Sequence, residues 1–291
     1  DGPIDLYDLT ARRTVATLPE LVSNVRVLAF GPEGRFVASA NYGSLGRSLR
    51  LWDVPKRRVS ITYIERPGGG TSVTSLAFDP SATRLAFTFY SSANTGRDLL
   101  QVWRTDRSER LLGIDTTKLG FVQVSFGPDG RLLYSSNKRH HDPNSNGLSI
   151  WDTDTGKERC IIRGRASYFA ISPDGTTLVE AANTGRLQFW DAKTGLKKYA
   201  TNVVVSSTSP LEYSPDGSLL VGQIRDQIIV VNVRRRYVER TISVVSFGVI
   251  KEIAFTPDGR HLVTANGNGT IYVLRLQEWS TDLGMREIGN C

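Results

Sequence analysis

Between residues 166 and 199 the chain alternates apolar and polar positions with a period of two, interrupted by turn signals. Apolar runs at 168–171, 177–181 and 187–190 are separated by Ser172-Pro173-Asp174-Gly175 and Asn183-Thr184-Gly185-Arg186. A period of two puts successive side chains on opposite faces of a strand, so the pattern predicts a strand meander. Pro173 presets φ for a turn, Gly175 accepts a positive φ, and Asp174 can bond back to the turn's own backbone. Thr194-Gly195, following Trp190-Asp191, opens a fourth strand. A four-stranded sheet of this kind has two apolar faces and must be stacked against copies of itself.

Copies are present along the whole chain. An aromatic, a small residue, Pro, an acid and Gly stand at Phe30-Gly31-Pro32-Glu33-Gly34, Phe126-Gly127-Pro128-Asp129-Gly130, Tyr213-Ser214-Pro215-Asp216-Gly217 and Phe255-Thr256-Pro257-Asp258-Gly259. Phe78-Asp79-Pro80 is a weaker copy. The six prolines from Pro32 to Pro257 lie 48, 48, 45, 42 and 42 residues apart. A fixed period in that range indicates a solenoid or a propeller. A second register marks strand ends at Leu51-Trp52-Asp53, Val102-Trp103-Arg104, Ile150-Trp151-Asp152 and Phe189-Trp190-Asp191. Leu6-Tyr7-Asp8, Val230-Val231-Asn232 and Val273-Leu274-Arg275 are degenerate versions of it.

Trp strand ends combined with P-D/E-G turns at this period resemble the WD40-repeat β-propeller family, over residues 4–276. The resemblance implies an all-β fold of four-stranded antiparallel blades, with six full repeats and a partial N-terminal one. It implies seven blades in the intact protein, six being the alternative. Residues 4–9 and 14–18 read as the last two strands of that partial repeat, so one propeller domain is expected over 1–276, with 1–18 as the partial repeat. The tail at 277–291 either supplies an edge strand or lies free. No Gly-His dipeptide precedes any repeat, so the family's network of Asp, His, Ser/Thr and Trp is not expected. Apolar packing between sheets should hold the blades, and the repeats read as divergent, bacterial-style ones.

Composition changes this picture little. At 291 residues the chain exceeds the usual single-domain size, but a propeller keeps one continuous core by adding blades. No window approaches the roughly 18 apolar residues that cross a bilayer. The chain opens Asp1-Gly2-Pro3 without an initiator Met or a signal peptide and reads as an excerpt of a longer protein. Cys160 sits in an apolar strand and Cys291 is terminal, so neither shows redox or metal-ligand spacing, and Cys160 is expected to be a buried structural thiol. The compartment stays open, the reading leaning to the cytoplasm.

Charge matters more, because a meander decides which turns share an end. The turns after Trp-Asp should lie with the P-D-G turns and are basic almost throughout, with Arg57, Arg58, Arg234, Arg235 and Arg236 as their densest clusters. Acids interleave, among them Glu33, Asp129, Asp174, Asp216 and Asp258, so the face is mixed. With a formal net charge of +7 it is the candidate surface for an anionic partner, against the plain reading that long cations solvate strand edges. At the opposite end, the second-to-third connections are short in the late repeats and longer at 41–48, 91–98 and 137–147. Extra length in neighbouring repeats at one end is a usual place for a binding surface. Tyr42, Arg47, Tyr90, Arg97, Lys138, Arg139, His140 and His141 are the candidate partner-binding residues there, since aromatics and Arg dominate hot spots.

Catalytic and metal chemistry find little support in the residues. His140-His141-Asp142 are consecutive on one loop and cannot by themselves close a four-ligand site. Glu180, an acid inside an apolar strand, has no partner carboxylate in another strand and is expected to be a hydrogen-bonded strand Glu. Gly68-Gly69-Gly70 lacks the Lys-Ser/Thr and helix of a phosphate loop and reads as a linker. The resemblance therefore implies a non-enzymatic protein-interaction or scaffold module, part of a larger protein, that binds a protein or peptide without a cofactor. The alternatives are a propeller enzyme with a channel-mouth active site and a polyanion binder using the basic face. Nucleic acid is disfavoured because no aromatics interleave with the cations.

Overall fold

The computed structural model describes residues 2–22, 25–41, 47–65, 71–91, 100–114, 120–138, 147–163, 168–244, 250–276 and 286–290. Among these residues there are strands, turns and one 3-10 turn at Pro32–Gly34, and no α-helix. The strands make six four-stranded antiparallel sheets and one two-stranded sheet. Each four-stranded sheet is a meander in chain order, the blade of a β-propeller.

The two-stranded sheet pairs β1 (Gly2–Asp8) with β2 (Arg13–Val22). Blade 1 contains β3 (Val25–Phe30), β4 (Phe36–Asn41), β5 (Arg47–Asp53) and β6 (Arg58–Glu65). Blade 2 contains β7 (Thr71–Phe78), β8 (Arg84–Ser91), β9 (Leu100–Arg104) and β10 (Arg110–Ile114). Blade 3 contains β11 (Gly120–Phe126), β12 (Leu132–Lys138), β13 (Gly147–Asp152) and β14 (Glu158–Arg163). Blade 4 follows with β15 (Phe169–Ile171), β16 (Thr177–Ala181), β17 (Arg186–Asp191) and β18 (Lys197–Val204). Blade 5 is β19 (Glu212–Tyr213), β20 (Leu219–Ile224), β21 (Gln227–Asn232) and β22 (Tyr237–Ser243). Blade 6 ends the chain with β23 (Ile250–Phe255), β24 (His261–Asn266), β25 (Thr270–Arg275) and β26 (Arg286–Asn290). Of the two readings of the tail, the edge strand is the one found: Tyr272 and Val273 of β25 stand opposite Glu287 and Arg286 of β26.

The chain packs as two compact units, Asp1–Ile161 and Ile162–Cys291. In the first, strand alternation sends the two faces of a sheet into different layers. Val27 and Ala29 of β3 lie against a core that runs through blades 1 to 3 and includes Leu51, Leu76, Leu85, Val102 and Leu133. On the other side of blade 1, Val37 and Trp52 pack with Ile4, Leu6 and Leu18 of the two-stranded sheet.

The second unit shows the same division within one strand. Ile229 and Val231 of β21 enter a core with Val179, Phe189 and Leu220, while Ile228 and Val230 enter another with Ile242, Leu262 and Leu274. That is why β21 reads as an unbroken apolar run: both of its faces are buried. Fully burying one such side chain stabilises by about 1.5–3 kcal/mol. The connection between blades 4 and 5 packs closely on Gly222, where a Cβ would come within 2.9 Å of Leu211 and 3.1 Å of Val205.

Apolar packing alone does not hold the blades, which corrects the sequence reading. Trp52 Nε1 donates to Ser39 Oγ at 2.8 Å and Trp151 Nε1 donates to Ser135 Oγ at 2.9 Å, both in the buried interior. An indole N–H taken out of water requires an acceptor, and a hydroxyl on the neighbouring strand provides one.

Candidate partner-binding site

At one end of every blade the P-D-G turn and the turn after the third strand are clasped by a backbone hydrogen bond. The N–H of Val54 donates to Arg35 O at 2.9 Å, Thr105 to Thr83 O at 3.0 Å and Thr153 to Arg131 O at 3.1 Å. In blades 4 to 6 the same bond joins Ala192 to Thr176 O, Val233 to Ser218 O and Leu276 to Arg260 O, at 3.1, 3.0 and 2.8 Å. The two sets of turns thus share an end, as the meander requires.

Most acids at this end are turn caps. Asp152 Oδ1 accepts from the N–H groups of Asp154 and Thr155, and Asp191 Oδ1 accepts likewise from Lys193 and Thr194. Asp8 caps with Thr10 and Ala11. In the P-D-G turns, Ser172, Ser214 and Thr256 donate their hydroxyls to Asp174, Asp216 and Asp258 and accept the N–H of Thr177, Leu219 and His261. Those hydroxyl bonds are the main reason the three carboxyls are held below the usual range. The Asp after Trp is therefore a structural residue that fixes the turn and offsets nearby cations. Lys56 pairs with Asp53 at 2.9 Å, and Arg159 lies against Asp152.

The basic candidates are exposed at this end, in different units. Arg57 and Arg236 occupy left-handed backbone, φ 49° and 61°, where blades 3 and 4 have Gly156 and Gly195. Each reaches the outer strand of the preceding sheet. Arg57 Nη2 donates to Val15 O of β2 at 3.4 Å, and the Arg236 guanidinium stacks 3.9 Å from the Tyr199 ring centroid of β18. Arg235 donates to the Tyr237 hydroxyl at 3.3 Å, and Arg58 and Arg234 are exposed. Two of the five candidate cations are thus sheet-to-sheet contacts within their own units.

Blade 2 departs from the repeat. Asp79 takes the place of the turn Ser/Thr and is buried; burial pushes its carboxyl up, but bonds from Ser81, the Arg84 N–H and the Arg84 guanidinium outweigh it, leaving the pKa lowered. Arg84 goes on to donate to Gly130 O at 2.7 Å and covers the Phe126 ring at 5.3 Å, linking blade 2 to blade 3. Reading Phe78-Asp79-Pro80 only as a degraded turn missed this pair. Between blades 1 and 2, at the same end, a cleft of 460 Å³ is lined by Arg35, Phe36, Asp53, Lys56, Ser81 and Asp106, among others. Cation, acid, hydroxyl and one aromatic side chain line it, and two of the charges, Lys56 and Asp53, are paired with each other.

At the opposite end, Tyr42, Arg97, Arg139, His140 and His141 lie outside the described residues, as does Gly68-Gly69-Gly70. Arg47, Tyr90 and Lys138 stand on strands β5, β8 and β12, at or next to the strand ends where the three longer connections begin or finish. Among the described residues no group of three or more His, Cys, Asp or Glu could hold a metal ion. Cys160, expected to be buried, is a half-buried free thiol in β14.

The interior acids need two corrections. Glu180 is 1% exposed and its Oε2 has no hydrogen-bond partner, so it is not the satisfied strand Glu that was expected. Burial pushes its carboxyl up to about 7; the adjacent indole of Trp190 offsets part of that rise without reaching hydrogen-bond geometry, and Lys197 offsets a little more. Nor is Glu180 alone among strand acids. Glu212 and Glu252 lie on the innermost strands of blades 5 and 6, where surrounding protein raises both although water reaches them, and the charge of Glu252 adds to the rise at Glu212. Tyr168, raised by burial and then by Glu252, belongs with them. Each acid stands next to apolar strand residues, and the only sequence signal was a lone acid out of phase with its strand.

The sequence pattern of the WD domain, G-beta repeat, matches residues 13–53 and 242–274. Both matches begin in or beside a fourth strand and end in the third strand of the next blade. Those two segments are WD40 repeats. The chain's similarity extends to Protein FIZZY-RELATED 2 of Arabidopsis thaliana, 25% identical over 189 residues, 64% of this chain and 36% of that protein. WD repeat-containing protein SL1-17 of Schistosoma mansoni is 23% identical over 180 residues, 60% of this chain and 57% of that protein. Protein LST8 homolog of Drosophila melanogaster is 21% identical over 256 residues, 82% of this chain and 74% of that protein. The WD40-repeat chain thus spans well under two thirds of the first two relatives. No helix among the described residues is long and apolar enough to cross a membrane.

Proposed function

We propose that this WD40-repeat chain is a non-catalytic protein-interaction module of a larger protein, and that it holds a protein or peptide partner on the loop end of blades 1 to 3. The observation that supports this is an asymmetry between blades. In blades 4 to 6 the second and third strands are joined by short turns, β16 ending at Ala181 and β17 starting at Arg186, β20 at Ile224 and β21 at Gln227, β24 at Asn266 and β25 at Thr270. In blades 2 and 3 the same connection runs from Ser91 to Leu100 and from Lys138 to Gly147, about twice as long, while in blade 1, from Asn41 to Arg47, it exceeds that of blade 4 by a single residue. Length added at one end of consecutive blades leaves the stacked core untouched and adds contact surface.

The test is affinity capture with the 291-residue chain, comparing it with the Arg47→Glu, Arg97→Glu, Arg139→Glu triple variant. The triple variant is expected to lose roughly 2 kcal/mol of binding, about thirtyfold in affinity, with an unchanged thermal melt. Partners retained equally by both proteins would remove the loops from the site. Polyanion binding is the weaker reading, because Arg57 and Arg236 make contacts within the protein and the capping acids offset neighbouring cations.

A further inference from the structure

We propose that the P-D-G end of blades 4 and 5 is a docking surface for an anionic lipid bilayer, a role that does not rest on the partner site at the loop end of blades 1 to 3. The first observation is where cations lack a counter-ion. At the P-D-G end of blades 1 to 3 much of the positive charge is paired: Lys56, Arg84, Arg104, Arg107 and Arg159 each lie against a carboxylate. In blades 4 and 5 Lys198 lies 3.8 Å from Asp191, but among the described residues Lys193, Lys197, Arg234, Arg235 and Arg236 make no ion pair. All five are exposed. The partners that three of them do have are neutral. Lys197 lies 5.6 Å from the Trp190 ring centroid, Arg236 stacks on Tyr199, and Arg235 donates to the Tyr237 hydroxyl. The carboxylates Asp174, Asp191 and Asp216 of these blades are folded back onto their own turns, and Glu239 accepts from the Asn232 amide.

The second observation is an apolar side chain among those cations. Leu196, between Gly195 and Lys197, is 69% exposed. Its place in the turn is fixed by the bond from the Asp191 N–H to its carbonyl; the same bond in blades 2 and 3 ends on Glu109 and Lys157, both charged. The turn of blade 5 lies alongside, because Arg236 reaches Tyr199 of β18, and it adds Tyr237 and Val238, 43% and 39% exposed. The two turns therefore present one surface, with Leu196 and Tyr237 set among unpaired cations.

The exposure of Leu196 decides between occupants. With so little protein around it, Leu196 is not set in a pocket that could grip one side chain of a peptide. A bilayer needs no pocket: its hydrocarbon boundary receives a projecting side chain while its anionic headgroups meet the surrounding cations. Tyr237, apolar in its ring and polar at its hydroxyl, suits the headgroup depth. A polyanion such as nucleic acid would use the cations and gain nothing from Leu196. Apolar insertion and charge are each weak alone, and together they hold a protein reversibly at a membrane.

Co-sedimentation of the 291-residue chain with vesicles tests this. Binding is expected to vesicles of phosphatidylcholine and phosphatidylserine in equal parts and not to phosphatidylcholine alone, falling by about tenfold between low and physiological salt. Leu196→Ser should weaken binding about tenfold and leave its salt dependence unchanged. Arg234→Gln with Arg235→Gln should weaken it by about tenfold or more and flatten the salt dependence. Neither change should move the melting temperature, because the side chains are exposed. Absence of binding to the mixed vesicles overturns the proposal, and so does binding that Leu196→Ser leaves unchanged, which would mean adsorption by charge alone. Capture of poly-glutamate that Leu196→Ser weakens, without vesicle binding, would assign the surface to an acidic protein segment instead.

Discussion

In blade 1 the indole N–H of Trp52 donates to Ser39, whereas in blade 4 the same place opposite Trp190 is held by Glu180. The equivalence follows from register. Trp52 stands opposite Val37 and its acceptor lies two residues further along the second strand; Trp190 stands opposite Leu178 and two residues further is Glu180. Blade 3 repeats blade 1, with Trp151 opposite Leu133 and Ser135 as acceptor. Blade 2 finds another solution, Trp103 donating to Gln101 Oε1 at 2.7 Å and stacking on Phe87. Blade 5 has neither partner, with Val231 opposite Leu220 and Gly222 in the acceptor place. Donor and acceptor are both present or both absent in blades 1, 3 and 5, and each arrangement is satisfied. Blade 4 has a donor and an acceptor that do not fit each other, and its carboxyl remains in the core without a full set of partners.

The largest expected effect is at the well-matched site. Trp52→Ala should destabilise by roughly 3–5 kcal/mol, since it removes a fully buried ring and leaves a cavity, while Trp190→Ala should cost distinctly less because Trp190 is half-buried and makes no indole hydrogen bond. Denaturant midpoints of the two variants measure this. Equal losses would break the comparison.

Next is Glu180→Gln. The folded-state pKa of Glu180, about 7, lies above the usual unfolded value of about 4.3, so the folded protein holds this proton more tightly than the unfolded chain does. Its favourable contribution is complete below the unfolded value and is lost as pH rises through about 7. Glu180→Gln keeps the volume and removes the charge, so it should stabilise the protein at pH 8 by an amount on the order of 3 kcal/mol and by little at pH 4. The difference between wild type and variant isolates this group from Glu212 and Glu252, which act with the same sign. The capping carboxyls of Asp152, Asp174, Asp191, Asp216 and Asp258 act with the opposite sign, their contribution being lost as pH falls below the usual carboxylate range. A variant no more stable than wild type at pH 8 would show that Glu180 is already accommodated.

The strands were legible because their signal is local. The run at 177–181 is β16, and 25–30 and 250–255 are β3 and β23, since an apolar run and an adjoining turn signal, Pro173-Asp174-Gly175 before β16, Pro32-Glu33-Gly34 after β3 and Pro257-Asp258-Gly259 after β23, are read within a few residues. β26 is not legible in the same way, because Arg286-Glu287-Ile288-Gly289-Asn290 has no alternation to read. The shared end of the two turn sets followed from meander geometry alone. The acceptors of Trp52 and Trp151 were not legible, because each lies on a neighbouring strand, two residues beyond the one opposite, and that register is set by packing. The Asp79–Arg84 pair was hidden for a related reason: an Asp before Pro looks like a turn residue until the next blade closes over it. Arg236 appeared as one of three adjacent cations, but its left-handed backbone turns it onto Tyr199.

Blade 6 allows the smallest and sharpest test. Here the tryptophan place is Leu274, opposite Leu262, and the acceptor place is Thr264, fully buried with a hydroxyl that has no partner. A buried unpaired hydroxyl costs roughly 1–3 kcal/mol, whereas an apolar group of the same shape carries no such cost. Thr264→Val should therefore stabilise, by about 1 kcal/mol once imperfect fit is allowed for. Ser39→Ala in blade 1 makes the same kind of change, hydroxyl to hydrocarbon, but removes the acceptor of Trp52 and should destabilise by roughly 1–3 kcal/mol. Opposite signs for the two substitutions, read from denaturant midpoints, would mean that the hydroxyl stabilises only where its tryptophan is present. Two losses of similar size would mean that Thr264 has a partner its geometry does not reveal, and blades 1 and 6 would then differ less than their hydrogen bonds suggest.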